Sequence, residues 1–199
     1  MSVDAVSTFL ALLAVLGLAF VVVVVLFALV ARLRGGLPEW AAPWRDGLGE
    51  AALPLAFAVA LTCTLGSLYM SEIAKFPPCE LCWIQRICMY PNVLILGVAA
   101  WRRDVGVRWY SLPLVVVGLG FSTYHYLVER FPDQVSFSCN NGVSCSDVWV
   151  WKFHFLSIPG MAWVGFLLIA TLLLLARTAP RVAGASPTLS DSSPEEVPA

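Results

Sequence analysis

Two cysteines three positions apart, Cys79 and Cys82, are the residues of this chain best suited to chemistry. A Cys-x-x-Cys pair cycles between a dithiol and a disulfide, and the thiolate is its reactive form. Pro77 and Pro78 come directly before the pair and favour a helix start there. The positive end of that helix, with Arg86 one turn beyond Cys82, would favour a thiolate. We therefore predict that Cys82 is the activated thiolate and Cys79 its redox partner.

A second cysteine pair, Cys139 and Cys145, lies in a polar segment further along the chain. The turn signal at residues 140–142, Asn-Asn-Gly, would let the two cysteines meet in a small loop with a readily exchanged disulfide. The four cysteines of the two pairs could instead bind zinc. Cys63 and Cys88 lie within apolar segments, and we expect them to pack as small apolar residues.

Two ionisable residues within apolar segments are functional candidates, because such residues are costly in a membrane. Arg86 either reaches the membrane interface or holds an electron-rich ligand beside Cys82. His125, between Tyr124 and Tyr126, either binds a ligand carbonyl or relays a proton. The alternative for His125 is a hydrogen bond that packs two helices together.

The elements that position these residues are apolar segments long enough to cross a membrane, which takes about 20 residues. The chain is 59% hydrophobic and 13% charged, whereas soluble domains have about 25% charged residues. Its net charge of -1 gives no sign of a nucleic-acid partner. The first apolar segment is too long for a signal peptide, and no clear cleavage site follows it. The predicted spans are residues 5–31, 51–71, 83–101, 109–128 and 157–176.

Lysine and arginine predict the orientation of these spans, because they accumulate on the cytoplasmic side. Eight of them fall on one side: Arg32, Arg34, Arg45, Arg102, Arg103, Arg108, Arg177 and Arg181. The other side has four: Lys75, Arg86, Arg130 and Lys152. We therefore expect the amino terminus outside and the carboxyl terminus inside. Both cysteine pairs then face the oxidising compartment, where disulfides persist.

The spans divide the chain into four predicted parts. Residues 1–34 form an additional N-terminal transmembrane helix, 35–50 a cytoplasmic loop, 51–177 a four-helix redox core, and 178–199 a disordered cytoplasmic tail. The aromatic segment 148–155 is expected to lie on the outer membrane surface, as an anchor in preference to a docking surface for a partner.

The run Pro78-Cys79-Glu80-Leu81-Cys82-Trp83-Ile84-Gln85-Arg86 resembles the DsbB/BdbC family of disulfide bond formation proteins, which are membrane thiol–quinone oxidoreductases. Tyr124-His125-Tyr126, the later cysteine pair and Ile158-Pro159 also fit, so that the resemblance covers about residues 53–176. It implies an all-α membrane protein: a four-helix transmembrane bundle, here with one additional N-terminal transmembrane helix of unexplained role.

The resemblance also implies a function in a bacterial cytoplasmic membrane. Cys139 and Cys145 would oxidise a thioredoxin-like extracytoplasmic partner, with Cys139 forming the mixed disulfide. Exchange joining Cys79 and Cys145 would then pass the electrons to the first pair. Cys82, assisted by Arg86, would contact a bound quinone, either ubiquinone or menaquinone.

Two other functions compete with this one. A vitamin K epoxide reductase-like protein also combines a membrane bundle, quinones and cysteine pairs. There the quinone-facing Cys-x-x-Cys follows the loop pair, whereas Cys79 and Cys82 come first here. A membrane scaffold with two structural disulfides is the non-enzymatic alternative, but it leaves Arg86 unexplained.

Overall fold

The computed structural model describes residues 2–36, 38, 41–133 and 143–177. These residues contain five helices long and apolar enough to cross a membrane. The helices are α1 (Val3–Leu33), α2 (Ala42–Leu68), α3 (Glu80–Arg102), α4 (Arg108–Arg130) and α5 (Ile158–Leu175). The described part of the chain has no β-strand, only a single bridge between Lys152 and Leu156. The predicted all-α membrane protein is confirmed.

Local sequence signals account for where several helices begin. The Ser2 side chain caps α1 by accepting from the backbone N–H of Ala5. The Ser157 side chain caps α5 in the same way, accepting from Gly160, and a proline follows in the first turn. α2 begins at Ala42 rather than near residue 51, so the predicted loop at 35–50 is too long.

Four of the helices form a closed bundle, and the fifth lies against its side. α2 and α4 each pack against both α3 and α5, while α1 packs mainly on α5. Small side chains on α2 (Ala52, Ala56 and Ala60) allow the close helix approach that is common in membranes. Phe166 and Ile169 of α5 fill the space between the helices and are fully buried.

A buried polar pair, Asn92 and Ser111, joins two helices of the bundle. Asn92 of α3 donates to the carbonyl of Cys88, 2.8 Å away, and accepts from the hydroxyl of Ser111 on α4. In a membrane such bonds join helices, because an unpaired polar group in hydrocarbon is costly. Large apolar side chains such as Val23, Leu94 and Leu174 are exposed on the bundle surface, as expected of a surface that lipid covers.

The predicted redox residues that the structure describes lie at one end of the bundle. This end, called the cysteine end, consists of residues 69–86, 124–133 and 143–160. A π-helical turn, Tyr69–Ile73, ends the α2 segment. A non-helical stretch through Pro77 and Pro78 then leads into α3. The predicted tail, 178–199, lies outside the described residues.

Candidate active site

Cys79 is the N-cap residue of α3, with its sulfur where a capping oxygen usually lies. Its backbone is extended, with φ −76° and ψ 175°. Its Sγ accepts a hydrogen bond from the backbone N–H of Cys82 at 3.4 Å. The two sulfur atoms are 3.2 Å apart and both thiols are free, since a disulfide bond measures about 2.05 Å. The pair is therefore a dithiol held at hydrogen-bond distance at the positive end of a helix.

His125 of α4 connects Cys79 with a second residue of α3. Its Nε2 lies 3.6 Å from Cys79 Sγ, and its Nδ1 lies 2.9 Å from Gln85 Nε2. An amide nitrogen only donates, so the Gln85 amide donates to Nδ1 and the neutral ring carries its proton on Nε2. Gln85 and His125 are both buried. Gln85 thus selects the tautomer that directs an N–H towards Cys79.

These contacts favour a thiolate at Cys79. The hydrogen bond with the Cys82 thiol is the main cause that lowers the pKa of the Cys79 thiol well below its ordinary value, and the backbone N–H of Cys82 adds a smaller effect. Burial opposes these effects, and the hydrogen bond with His125 lowers the pKa further. The sequence argument assigned the thiolate to Cys82. The structure differs because Cys79 Sγ lies at hydrogen-bond distance from the Cys82 thiol and because His125 approaches this sulfur.

Arg86 is directed towards α2, where it meets Ser67. Its Nε donates to Ser67 Oγ at 3.0 Å, and its Nη2 donates to the Ser67 carbonyl at 3.1 Å. The Tyr90 hydroxyl donates to the same Ser67 Oγ at 3.2 Å. The guanidinium carbon is also 5.2 Å from the centre of the Trp83 ring. Since a guanidinium has five N–H donors, this anchoring leaves others for a ligand.

An apolar cavity of about 400 Å³ adjoins the dithiol. Ser67, Cys82, Gln85 and Arg86 contribute to its lining, and most of the rest is aliphatic or aromatic. Among the described residues, the lining includes Cys82 but does not include Cys79. An apolar pocket with a few converging polar groups is typical of small-molecule sites. The structure thus places Cys82 at a space that suits an apolar ligand with a polar head group.

Cys79 belongs instead to a buried cluster with Cys145. Leu81 and Val128 complete the buried members of this cluster, and Cys145 is 3% exposed. Cys145 is disulfide-bonded in the structure. Cys139 and the predicted turn at 140–142 lie outside the described residues, so their geometry stays a prediction. The structure therefore brings Cys79, Cys82, Cys145, His125 and Arg86 to one end of the bundle.

The sequence predicted that the aromatic segment 148–155 does not cross the membrane, and in the structure it forms no membrane-spanning helix. It packs on the ends of the helices. Trp149 stacks on Phe76 with ring centres 5.2 Å apart, and both residues line the cavity. Trp151 lies under the guanidinium of Arg130 at 5.0 Å. The hydroxyl of Tyr126 donates to the Phe155 carbonyl at 2.7 Å. Through Trp149 the segment therefore contributes to the cavity lining, a role that its composition did not predict.

The same cluster of side chains could hold a metal ion. The ligand atoms of Cys79, Cys82 and His125 all lie within 4.8 Å of one another. Zinc accepts cysteine and histidine ligands, and structural zinc sites almost always have four. The zinc alternative from the sequence therefore centres on the first cysteine pair and His125, and metal content becomes part of the functional test below.

Three residues of the site were missed by the sequence analysis. Gln85 follows Cys82 by three positions, and a buried amide within an apolar segment could have marked it as functional. Ser67 offered no such signal, because serine is common in membrane helices. Glu129 follows His125 by one turn on α4, and its Oε2 is buried without a hydrogen-bond partner in the described structure. Its spacing from His125 was the available signal.

The fold and the site define a multi-pass membrane protein with a dithiol at a helix start. The family model described as "Disulfide bond formation protein DsbB" matches residues 49–176. The chain therefore belongs to the DsbB family, whose members are disulfide-forming oxidoreductases, and the resemblance stated from the sequence is confirmed.

Curated relatives match the same part of the chain. "Disulfide bond formation protein C" of Bacillus subtilis is 46% identical over 123 residues, covering 61% of this chain and 89% of the relative. A "Probable disulfide formation protein" of Oceanobacillus iheyensis is 45% identical over 128 residues, covering 63% and 88%. One of Coxiella burnetii is 40% identical over 127 residues, covering 63% and 86%. No solved structure matches the chain significantly.

Proposed function

We propose that this protein is a membrane thiol oxidase that transfers electrons from an extracytoplasmic thioredoxin-like protein to a membrane quinone. The observation that carries the proposal is the position of the dithiol between two environments. Cys82 lines the apolar cavity and packs against the buried cluster, whereas Cys79 is a buried member of that cluster, together with Cys145, and does not line the cavity in the described structure. Electrons can therefore arrive at one sulfur and leave from the other.

The first half of the reaction is disulfide exchange. The dithiol of the partner reduces the Cys139–Cys145 disulfide and itself becomes a disulfide. Cys145 then attacks the oxidised Cys79–Cys82 pair at Cys79, and the electron pair moves to Cys82 as it leaves. Attack by Cys139 on Cys145 restores the second disulfide and releases Cys79 and Cys82 as thiols. The shared cluster of Cys79 and Cys145 supports this pairing, and the role of Cys139 comes from the family resemblance.

The second half of the reaction takes place at the cavity. The donors and walls of the cavity fit a quinone: Arg86 suits a quinone oxygen, and the apolar walls suit a ring and an isoprenoid tail. A quinone held there would supply the acceptor for the two electrons and two protons that the thiols of Cys79 and Cys82 release when they form a disulfide. Ser67 holds Arg86 towards the cavity. Cys82 contributes the sulfur nearest the ligand, and Cys79 closes the new disulfide.

His125 has a proposed role in handling the protons. Its Nε2–H stabilises the Cys79 thiolate, so that this sulfur is ready to attack Cys82 as the disulfide re-forms. Gln85 keeps the ring in the required tautomer. Because His125 contacts Cys79 and does not line the cavity in the described structure, its action on a ligand would pass through the dithiol. The predicted direct contact of His125 with a quinone remains a prediction.

The proposed location is a bacterial cytoplasmic membrane with the cysteine end on the extracytoplasmic side. The distribution of lysine and arginine supports this orientation, with eight on the opposite side of the membrane. An oxidising compartment is also where a thiol oxidase would meet its partner. Labelling of Arg45→Cys and Asp133→Cys with a membrane-impermeant maleimide in intact cells tests this. Only Asp133→Cys is expected to react.

A stoichiometric assay tests the function itself. The purified protein is reduced, freed of reductant and mixed with decylubiquinone, and its thiols and the quinol are measured together. One quinol is expected for each pair of thiols lost, and a reduced thioredoxin-like protein should then sustain turnover. Persistent thiols without quinol would overturn the proposal. Zinc bound to the purified protein in a one-to-one ratio would favour the metal-binding alternative instead.

A further inference from the structure

α1 lies outside the part of the chain that matches the family, yet it packs closely on the bundle. A Cβ added to Gly66 of α2 would come within 2.9 Å of Leu10, and one added to Gly17 would come within 3.1 Å of Leu168 on α5. α1 therefore lies alongside both α2 and α5. The 123 matched residues make up 89% of the Bacillus subtilis relative, so the remainder of that protein is shorter than the 31 residues of α1.

The buried residues of α1 end at Val21, so that its last third makes few contacts with the bundle. Ala11 and Ala14 are buried against Val164 of α5 and Leu156 of the preceding segment. Asp4 forms an ion pair with Lys152, which ties the start of α1 to the cysteine end. Val23 and Leu26, beyond Val21, are more than half exposed. The contacts of α1 thus concentrate at the depth of the dithiol and the cavity.

Four residues of α1 line the cavity that Cys82 and Arg86 also line. They are Leu10, Leu13, Ala14 and Gly17. Their spacing of three or four positions places them on one helix face. The opposite lining comes from α2, α3 and α5. α1 is therefore one wall of the cavity, on the side where a bundle made of α2 to α5 alone would leave it open.

We propose that α1 is a structural part of the quinone site, where it contacts the bound quinone and closes the cavity towards the bilayer. This inference rests on the proposed function. α1 lies along α2 and α5, which both also line the cavity, so it covers the cavity on the side that faces the bilayer there. Leu13 and Gly17 then set how well the ring and the first part of the tail fit.

Photolabelling tests whether α1 contacts the ligand. The probe is an azido-substituted decylbenzoquinone, irradiated with the full-length protein in detergent, with and without excess decylubiquinone. Labelled peptides are identified by mass spectrometry. We expect label that decylubiquinone prevents on residues 10–17 of α1, as well as near Cys82. Competed label on α2, α3 or α5 but not on α1 would overturn this inference and leave the proposed function standing. The absence of competed label anywhere would contradict both.

Kinetics with matched variants test whether α1 sets the fit. Leu13→Trp introduces bulk into the cavity, and Leu16→Trp introduces the same bulk on a 66% exposed position of the same helix that does not line it. Leu13→Trp should raise the KM for decylubiquinone roughly tenfold or more, since single apolar contacts discriminate by that order. Leu16→Trp should keep the wild-type KM and kcat, and diamide, which needs no quinone site, should oxidise the dithiol of both variants.

Leu13→Ala provides a second variant in case the larger side chain disturbs folding. It should also change the KM for decylubiquinone, whereas Leu16→Ala should not. Equal KM values for the Leu13 and Leu16 variants and the wild type would show that α1 is only a membrane anchor. A wild-type protein that reduces no quinone in this assay would instead contradict the proposed function, and with it this inference.

Discussion

At the scale of single residues, the site depends on an asymmetry between two cysteines of the same motif. Cys79 is the N-cap of α3, accepts the N–H of Cys82 and faces His125. Cys82 faces the apolar cavity with Arg86. The two thiols therefore differ in acidity and in the molecules they can reach. This division suits a dithiol that takes electrons from a protein and passes them to a membrane-soluble acceptor.

The acidity of Cys79 should be visible in the pH dependence of its alkylation. In the reduced wild-type protein, the thiolate of Cys79 forms above a pKa that lies well below the ordinary thiol value. As the pH is raised, the rate of Cys79 alkylation by iodoacetamide should therefore increase already in the acidic range. It should reach its plateau at a pH where the other thiols do not yet react. His125→Phe removes one stabilising partner of the thiolate. The pH at which Cys79 alkylation is half-maximal, its midpoint, should then increase by about one unit or more.

Gln85→Leu provides the matched test of the tautomer. It leaves His125 in place but removes the amide that donates to Nδ1. Its midpoint should lie between those of the wild type and His125→Phe. Midpoints that coincide in all three proteins, measured by mass spectrometry of the Cys79 peptide, would show that His125 does not act on this thiol.

The position of Arg86 gives a second prediction at this scale. Arg86→Met removes a charged donor from the cavity wall, and charge-assisted hydrogen bonds contribute about 1.5–3 kcal/mol. The KM for decylubiquinone should rise roughly tenfold to a hundredfold. Ser67→Ala, which only loosens the anchoring of Arg86, should have a smaller effect. A larger effect from Ser67→Ala than from Arg86→Met would contradict the assignment of Arg86 as the ligand donor.

At the scale of elements, the sequence located the helices well because length and apolar content decide a membrane span. The predicted third and fourth spans, 83–101 and 109–128, fall within α3 and α4. The start of α2 was missed because Pro43 was interpreted as a loop residue. In the structure it lies in the first helical turn. Backbone N–H groups there have no partner within the helix, so the missing N–H of proline costs no hydrogen bond.

The relative rotation of the helices could not be predicted from the sequence. The approach of His125 to Cys79 joins residues from two helices, and so does its bond with Gln85. Periodicity gives the faces of a helix but not which face of its neighbour it meets. The cavity was missed for the same reason, since α1 and α5 contribute to it together with the predicted motif. The composition of α1 is apolar all round and does not mark the face of Leu13.

Close packing of α4 on α5 yields a stability prediction with a matched control. A Cβ at Gly118 would lie 2.3 Å from the ring of Phe166, whereas a Cβ at Gly120 meets nothing within 4 Å. Gly118→Ala should destabilise the bundle by about 1–3 kcal/mol, because a filled core has no room for the added methyl group. Gly120→Ala should not destabilise it. Thermal unfolding in detergent measures both, and equal melting temperatures would contradict the described packing.

At the scale of the whole molecule, the two cysteine pairs are brought together by the closed bundle. α3 supplies Cys79, and the segment between α4 and α5 supplies Cys145. Their sequence separation means that only the folded bundle makes them neighbours. The sequence alone identified the two cysteine pairs. The exchange between one cysteine of each pair, Cys79 and Cys145, was implied by the family resemblance. The burial of Cys79 and Cys145 in one cluster gives that pairing a physical basis.

Trapping the exchange intermediate tests this proximity. With Cys82→Ser and Cys139→Ser combined, the thiols of Cys79 and Cys145 have lost their normal partners. Mild oxidation should then produce a Cys79–Cys145 disulfide within one chain, detected by mass spectrometry of the linked peptides. Cys82→Ser combined with Cys145→Ser is the control and should give little linkage between Cys79 and Cys139. Equal linkage in both proteins would mean that the shared cluster does not direct the exchange.

The most direct test of the central claim is the rate of quinol formation by Cys82→Ser beside Cys88→Ser. Both variants exchange a thiol for a hydroxyl on α3, but only Cys82 lines the cavity. With a reduced thioredoxin-like donor and decylubiquinone, Cys82→Ser should lose at least about a hundredfold in rate. Cys88→Ser should keep the wild-type rate. Quinol formation that continues unchanged in Cys82→Ser would contradict the claim that electrons leave the dithiol through the cavity.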